Sequence, residues 1–570
     1  MQDKRWTIQP FDAAKAFSLA ESLGVKNIYG QLLIQRGIYS FKEAKRFFRP
    51  QLDDLHDPFL MKDMIKAVQR IDAAIHKKEK ILIYGDYDVD GTTAVSVVYS
   101  FLKEYHDAVG YYVPHRYREG YGISFAGIEY AKENNYMLII ALDCGIKAVE
   151  KIAYANSLNM DVIVCDHHLP DKNLPHAHAI LNPKQPGCEY PYKELSGCGI
   201  GFKLITALAK IWKLPDQSFL QYVDLVATSI AADIVPITGE NRVLTFWGLK
   251  KVNTNPIPGL KALVELSRAK RDNNYQLRVY DLVFMIAPRV NAAGRMDDAH
   301  KAVKLFIEKD FDEALRIAEM LHHDNTERKD LDRTITEEAL NIIEKEKLSE
   351  KNTTVLFRSH WHKGVIGIVA SRLMETYYRP TIILTQSNEK VAGSARSVKG
   401  FNIYEALHLC HDLLENYGGH LYAAGMTLAP ENVEPFIDRF ESVVSSTINP
   451  ELLIPEIKID AIIQLSEINN SLYKILEQFE PFGPGNMRPV FMTSCVCDNG
   501  HSKIVKQDHI RFEIKQDNSE TFTGIGFNLA DKFELVSSGK PFDICFHIDE
   551  NDWNGNKSIQ LKVIDIKERS

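Results

Sequence analysis

Short, continuously apolar runs alternate with amphipathic stretches through the first half of the chain. The runs lie at 81–84, 137–142 and 162–165, and the intervals 94–105 and 148–156 carry apolar residues at helical spacing. Continuous apolar strands separated by helices predict a parallel sheet covered on both faces, with its ligand at the carboxyl ends of the strands. The fold class is therefore read as α/β over about 81–233.

The pattern then changes twice. Between 310 and 347 there is little Gly or Pro, and Leu315, Ala318, Leu321, Leu331, Ile335, Ala339 and Ile342 recur at helical intervals, which predicts one or two long helices. A second α/β segment begins at Thr353, with strands at 354–357 and 381–384 and a helix at 364–376. After Pro455 come short β segments around 490–497, 509–514, 521–526, 542–547 and 559–566, which suggest a small β-barrel of the OB-fold type. The expected organisation is an N-terminal segment 1–45, a parallel-sheet domain 46–305, a connecting long helix 306–350, a smaller α/β domain 351–450 and an OB-fold-like domain 451–570.

Composition agrees with several soluble domains. The chain has 570 residues, 45% of them hydrophobic, enough to give each domain a core. No run approaches the roughly 20 continuous apolar residues of a membrane span, and the opening residues lack the apolar stretch of a signal peptide, so no membrane partner and a cytoplasmic setting are expected. Eight cysteines without a C-x-x-C pair favour free thiols over a disulfide frame or a zinc site, and Cys495 and Cys497 read as strand positions. A net charge of −8 argues against a generally basic nucleic-acid coat but leaves room for a basic groove.

The chemistry concentrates at the ends of the predicted strands. Asp86, Asp88 and Asp90 follow the run at 81–84, spaced two apart before a glycine. On an extended segment that spacing places three carboxylates on one side, where they repel unless cations intervene; the plainer alternative is a solvated acidic turn. Asp143 follows 137–142, Asp166, His167 and His168 follow 162–165, and Asp233 closes another apolar stretch. Independent strands thus aim ligands at one edge. Carboxylates with an imidazole and no thiolate pair suit Mn²⁺ or Mg²⁺ better than Zn²⁺, and this many anionic ligands points to two ions.

These elements, D-Y-D-V-D-G-T-T, L-D-C-G-I, D-H-H and A-D-I-V-P in that order, resemble the DHH phosphoesterase family, as do the later runs G-S-A-R-S and G-G-H. The resemblance implies a parallel-sheet DHH domain and a smaller DHH-associated domain. It also implies a two-metal site in which Asp86, Asp88, Asp90, Asp143, His167 and Asp233 are ligands, Asp143 bridging. His168 would touch the phosphate or hold a water, and Asp166 would fix an imidazole orientation. Within the family the chain is similar to the single-strand-specific 5′ exonucleases. That implies 5′→3′ hydrolysis of single-stranded DNA in repair and recombination by a monomer, with a single-strand-binding protein and a helicase as further partners.

Cationic and aromatic positions extend the expectation. Arg116, Arg118 and Tyr121 follow a predicted strand and offer phosphate contact and ring stacking. Arg289 and Arg295 flank a small-residue turn and are candidates for the strand backbone, the plainer reading being capping or a salt bridge. In the second α/β segment the resemblance implies that Arg396, Gly419 and His420 receive the terminal phosphate. Trp361 reads equally as a base-stacking platform or a hydrophobic anchor. Lys503, Lys506, His509, Arg511 and Phe512 are compatible with a single strand on the barrel. Two other functions stay open at this point: a phosphodiesterase of cyclic dinucleotides or very short oligonucleotides, and an inactive scaffold that binds single strands.

Overall fold

The computed structural model describes residues 3–268, 275–296, 298–517, 519–553 and 556–569. Contacts divide the chain into two compact units, Ala14–Asn325 with Ile475–Arg488, and Met1–Ala13 with Thr326–Lys474 and Pro489–Ser570.

The first unit is built on a five-stranded, wholly parallel sheet in the order Val109–Tyr112, Lys80–Gly85, Tyr136–Leu142, Asp161–Cys165, Ala179–Leu181. The apolar runs form these strands because both faces are covered and every alternate side chain finds a core. Ile81, Ile83, Leu138, Ile140, Leu142 and Ile163 pack on one face with Val95, Phe101, Ile200 and Leu204. Leu82, Tyr84, Ile139, Ala141, Val162 and Val164 pack on the other with Ile128, Ala131, Ile152 and Ala155. Fully burying one such branched aliphatic side chain contributes about 1.5–3 kcal/mol.

A buried ion pair ties the helical part of this unit together. Lys203 Nζ lies 2.6 Å from Glu240 Oε1, and Glu240 also accepts from the Tyr190 hydroxyl at 2.6 Å and the His56 amide at 2.7 Å. Burial lowers the Lys203 pKa even with its carboxylate partner in place.

The second unit contains two larger sheets. One has the order Asn416–Gly419, Ala423–Leu428, Lys390–Arg396, Thr381–Ser387, Thr354–Phe357, antiparallel except for its last pair. Helix Ile366–Tyr377 packs on it. The other is seven-stranded, and besides its linear order it carries a pairing of Phe491–Asp498 with His509–Lys515, which links five of its strands in a cycle. Cys495 and Cys497 are strand residues there. The N-terminal strand Arg5–Ile8 pairs in parallel with Glu456–Ile459, and Trp6 Nε1 donates to Asp565 Oδ2 at 2.9 Å.

The predicted long helix is a single one, Phe311–Lys345, and the division between the units falls within it. Residues 475–488, which lie in sequence among the strands of the C-terminal β domain, pack with the first unit. The cause is a set of carbonyls captured by Arg242: Phe479 O at 3.0 Å, Glu480 O at 2.8 Å and Pro481 O at 3.2 Å. Among the described residues no helix is long and apolar enough to cross a membrane.

Candidate metal centre

The acidic triplet does not lie on one side of an extended segment. Strand Lys80–Gly85 ends one residue before Asp86, and helix Val89–Lys103 begins immediately after Asp88, which caps it by accepting from the Gly91 amide at 2.9 Å. Asp90 stands in the first helical turn. Side chains after Gly85 do not alternate, because a short polar residue takes up the free amides of a helix N-terminus and ends the extended run. The three carboxylates converge through a strand-to-helix turn instead.

Asp90 is held on three donors. Its carboxylate accepts from the amides of Gly197 at 2.6 Å and Cys198 at 2.7 Å, and from the Ser229 hydroxyl at 2.6 Å. The amides belong to the start of helix Gly197–Ile211, which favours negative charge there. Ser196, the cap of that helix, bonds Ser229 at 2.7 Å.

Asp143 and Asp166 occupy the carboxyl ends of neighbouring strands. The Asp143 amide donates to Cys165 O at 2.8 Å and the Asp166 amide to Leu181 O at 3.1 Å. His167 points its Nε2 into the cluster, 3.2 Å from Asp143 Oδ1, 3.5 Å from Asp233 Oδ2 and 3.9 Å from Asp90 Oδ2. Asp233 reaches it from the end of helix Val223–Ala232. Three sets of residues bring ligand atoms within 4.8 Å of one another: Asp86, Asp88 and Asp143; Asp90, His167 and Asp233; and Asp143, His167 and His168.

The ligand atoms fit divalent cations. Asp86 Oδ1, Asp143 Oδ1, Asp233 Oδ2 and both ring nitrogens of His167 are buried without a hydrogen-bond partner among the described residues. Leaving such groups unsatisfied is costly, so the arrangement suits a cation that takes their lone pairs. Burial, reinforced by Asp88, holds the Asp86 carboxyl well above the ordinary carboxylate range. Burial followed by Asp90 and Asp88 does the same to Asp143 and Asp233. Burial pushes the His167 imidazole down to about 4, so its ring is neutral and able to ligate.

Asp166 faces a different task. It accepts from the Ile146 amide at 2.9 Å, the His168 amide at 3.1 Å and His168 Nδ1 at 2.7 Å. Burial opposes its ionisation, yet these bonds hold it below the ordinary range. Burial also opposes the His168 charge, but Asp166 outweighs it and the imidazole pKa is raised. Tyr121 hydroxyl lies 3.1 Å from Asp143 O and 3.3 Å from His168 Nε2. The Arg116 guanidinium sits 4.8 Å over the Tyr87 ring, beside Asp86 and Asp88, whose charges it favours.

The supposed turn carrying Arg289 and Arg295 is helix Ala287–Met296, preceded by a wide turn of helix over Leu282–Ile286. Its alanines are helix formers, which outweigh the turn signal of Gly294. Arg289 is buried and donates through Nε to His322 at 3.1 Å and through Nη1 to Met285 O. The residue sequence reasoning missed on this helix is Asn291, whose side-chain oxygen accepts from the Val89 amide at 3.1 Å and so pins the acidic turn. Nothing in the local sequence marks it. Ser229 was also missed, although the S-G-C-G run at 196–199 is a legible helix start.

Arg396, Gly419 and His420 belong to the other unit. Arg396 lies on a strand opposite Ala423, donates to Ser371 Oγ and Ser394 Oγ at 3.1 Å each, and to Ala395 O at 2.7 Å. Gly419 pairs with Ala424, and the His420 amide donates to Ala423 O at 2.8 Å. Trp361 is buried and donates to Glu338 at 2.9 Å, which makes it an anchor.

Three family models match in the order of the sheets: the DHH family N-terminal domain over 80–230, the DHHA1 domain over 350–446 and the RecJ OB domain over 459–565. The single-stranded-DNA-specific exonuclease RecJ of Bacillus subtilis (strain 168) is 37% identical over 98% of this chain and 70% of its own. The chain belongs to the RecJ family. The Escherichia coli (strain K12) RecJ is 30% identical over 94% of this chain and 95% of its own. A crystal structure of RecJ from Thermus thermophilus in complex with Mn²⁺ superposes with a TM-score of 0.85 at 26% identity, covering 100% of this chain and 80% of that one. A Mg²⁺ complex of the same RecJ gives 0.78 at 25% identity, covering 99% and 79%. The RecJ-family fold thus accounts for the DHH sheet, the DHH-associated domain and the C-terminal β domain together.

Proposed function

We propose that this chain is a Mn²⁺- or Mg²⁺-dependent exonuclease that removes nucleotides from the 5′ end of single-stranded DNA, in DNA repair and recombination. The observation that carries the reading is the convergence of buried, unpartnered carboxylate and imidazole atoms in a chain of the RecJ family. Asp86, Asp88, Asp90, Asp143, His167 and Asp233 would hold two ions, with Asp143 shared, since it belongs to ligand sets on both sides. When bound, such ions lower the pKa of a water and neutralise charge on a phosphate.

The chain's own residues orient and hold charge. Neutral His167 offers a ring lone pair, and Asp166 keeps His168 oriented and raises its imidazole pKa, favouring the form that donates to a phosphate oxygen. Arg116 offers planar contact to phosphate, and the exposed ring of Tyr121 offers a stacking face. Arg295 remains the candidate for the strand backbone on its helix, while Arg289 braces that helix from within. In the second unit, Arg396 with Gly419 and His420 would take a terminal phosphate, supported by the strand register that gathers them.

The eight free cysteines support a reducing, cytoplasmic setting. The same reading carries a monomer working with a single-strand-binding protein and a helicase. Domain limits near 46–305, 351–450 and 451–570 are supported by the spans of the three matching models.

The test is digestion of end-labelled single- and double-stranded DNA, RNA and cyclic dinucleotides with Mn²⁺ or EDTA. Metal-dependent loss of nucleotides from the 5′ end of single-stranded DNA is expected. Hydrolysis confined to cyclic dinucleotides, or persistence in EDTA, would overturn the proposal.

A further inference from the structure

Asp233 leads into a turn in which Pro236 O accepts from the Tyr192 hydroxyl at 3.1 Å and from Asn241 Nδ2 at 3.0 Å. It ends helix Val223–Ala232, and the next residue, Ile234, has φ +59 and is exposed. A β-branched residue in the left-handed region is strained and persists only where its surroundings fix the backbone on either side. A further contact on the far side comes from a part of the chain more than two hundred residues away.

Residues 479–488 belong to the first unit, although the chain before 475 and after 488 belongs to the second. The Ile237 amide donates to Pro484 O at 2.7 Å. A Cβ on Gly483 would stand 2.4 Å from Ile237 Cδ1, and one on Gly485, which has φ +74, would stand 2.9 Å from Thr238 Cγ2. Both glycines therefore serve close approach to the segment 236–238. The strap is itself clamped: buried Asn486 donates to Phe479 O at 2.8 Å and Pro481 O at 2.9 Å and accepts from Arg36 Nε at 2.8 Å. Arg36 also donates to Met487 O at 2.7 Å, and Arg242 holds the strap's first three carbonyls while its guanidinium lies 3.7 Å over the Phe47 ring.

We propose that residues 479–488 are a positioning strap for Asp233, so that the metal affinity of the carboxylate cluster depends on a segment lying in sequence between strands of the C-terminal β domain. The Asp233 amide closes its helix on Ser229 O at 2.9 Å, while its Oδ2 is buried without a hydrogen-bond partner among the described residues. Asp90 has three donors from two helices, and the Asp143 amide is bonded into the sheet. The strap braces the far side of the segment that carries Asp233. This inference rests on the metal-centre reading above.

The experiment is calorimetric titration of EDTA-stripped full-length protein with Mn²⁺, comparing the parent chain with Asn486→Ala and Gly485→Ala. Loss of partners that orient a ligand typically costs about 10–100-fold in metal affinity, and a weakening of that size is expected in either variant that folds. Phe436→Leu, a core change in the other unit, supplies the contrast: it should lower the melting temperature and leave the affinity unchanged. Parent-like affinity in the strap variants, or an equal loss in Phe436→Leu, would overturn the strap alone. A parent chain that binds no Mn²⁺ would overturn the strap together with the metal centre.

Discussion

His167 Nε2 and Asp143 Oδ1 face each other at 3.2 Å, both buried and neither satisfied by a hydrogen bond among the described residues. Two lone-pair donors at that distance need a cation between or beside them. A proton can serve at low pH, and a divalent metal serves at neutral pH. Much of the behaviour of the site follows from that exchange.

The first expectation concerns pH. The Asp86, Asp143 and Asp233 carboxyls have raised pKa values in the folded, metal-free chain. The folded state therefore binds more protons than the unfolded one, and that contribution to stability is complete below the ordinary carboxylate pKa and is lost as pH rises through the raised values. Mn²⁺ replaces those protons. The melting-temperature gain on adding Mn²⁺ to stripped protein should be larger at about pH 8 than at about pH 5, with proton release on binding; scanning fluorimetry with and without Mn²⁺ checks it. An equal gain at both values would contradict the shifted carboxyls.

Removal of Asp143 tests the ligand set. Asp143→Ala should lower hydrolysis of single-stranded DNA by more than about 100-fold, beyond the 10–100-fold usual for partners that only orient a ligand. Retained activity with Mn²⁺ in a gel-based nuclease assay would exclude Asp143 as a ligand.

Ser229 acts through Asp90. Deleting its hydroxyl in Ser229→Ala leaves the carboxylate with two amide donors, and metal affinity should fall by about 10–100-fold with little change in far-UV circular dichroism. Unchanged Mn²⁺ titration would mean that the amides suffice.

Asp166 holds the His168 titration up against burial. In Asp166→Asn the bonded carboxylate charge is gone and only Asp90 and Asp88 still oppose burial, so the imidazole pKa should fall. NMR titration of the His168 ring in stripped protein reads this directly, and an unchanged midpoint would remove Asp166 from its role.

Lys203→Met leaves Glu240 buried without its cation. Breaking a buried pair in this way costs about 3–5 kcal/mol, so the urea midpoint of this unit should drop well below that of the parent chain. A shift no larger than that of a surface substitution would contradict the buried pair.

The strands of the DHH sheet were readable because both faces are buried, which makes each a continuous apolar run that needs no further context. The site was readable for the same reason: parallel strands deliver the residues after them to one edge, so Asp86, Asp143 and Asp166 followed from strand ends alone. The local geometry of the triplet was not, since alternation assumes extension and Asp88 caps a helix. Arg289 read as a candidate for the strand backbone because its burial depends on a helix packing that leaves no mark on its neighbours. The contacts of residues 475–488 with Arg36 and Arg242 were not legible, because those partners are hundreds of residues upstream and a contact of that separation has no periodicity to read.

Asp143 adopts φ +58. Aspartate and asparagine tolerate the left-handed region better than other side chains with a Cβ, through short local hydrogen bonds. Glutamate carries the same charge but lacks that tolerance. Lengthening this carboxylate by one methylene would therefore misplace the ligand and strain its backbone together, which makes the nominally mild exchange harsher here than at Asp166, and makes Asp143→Asn the substitution that isolates charge from conformation.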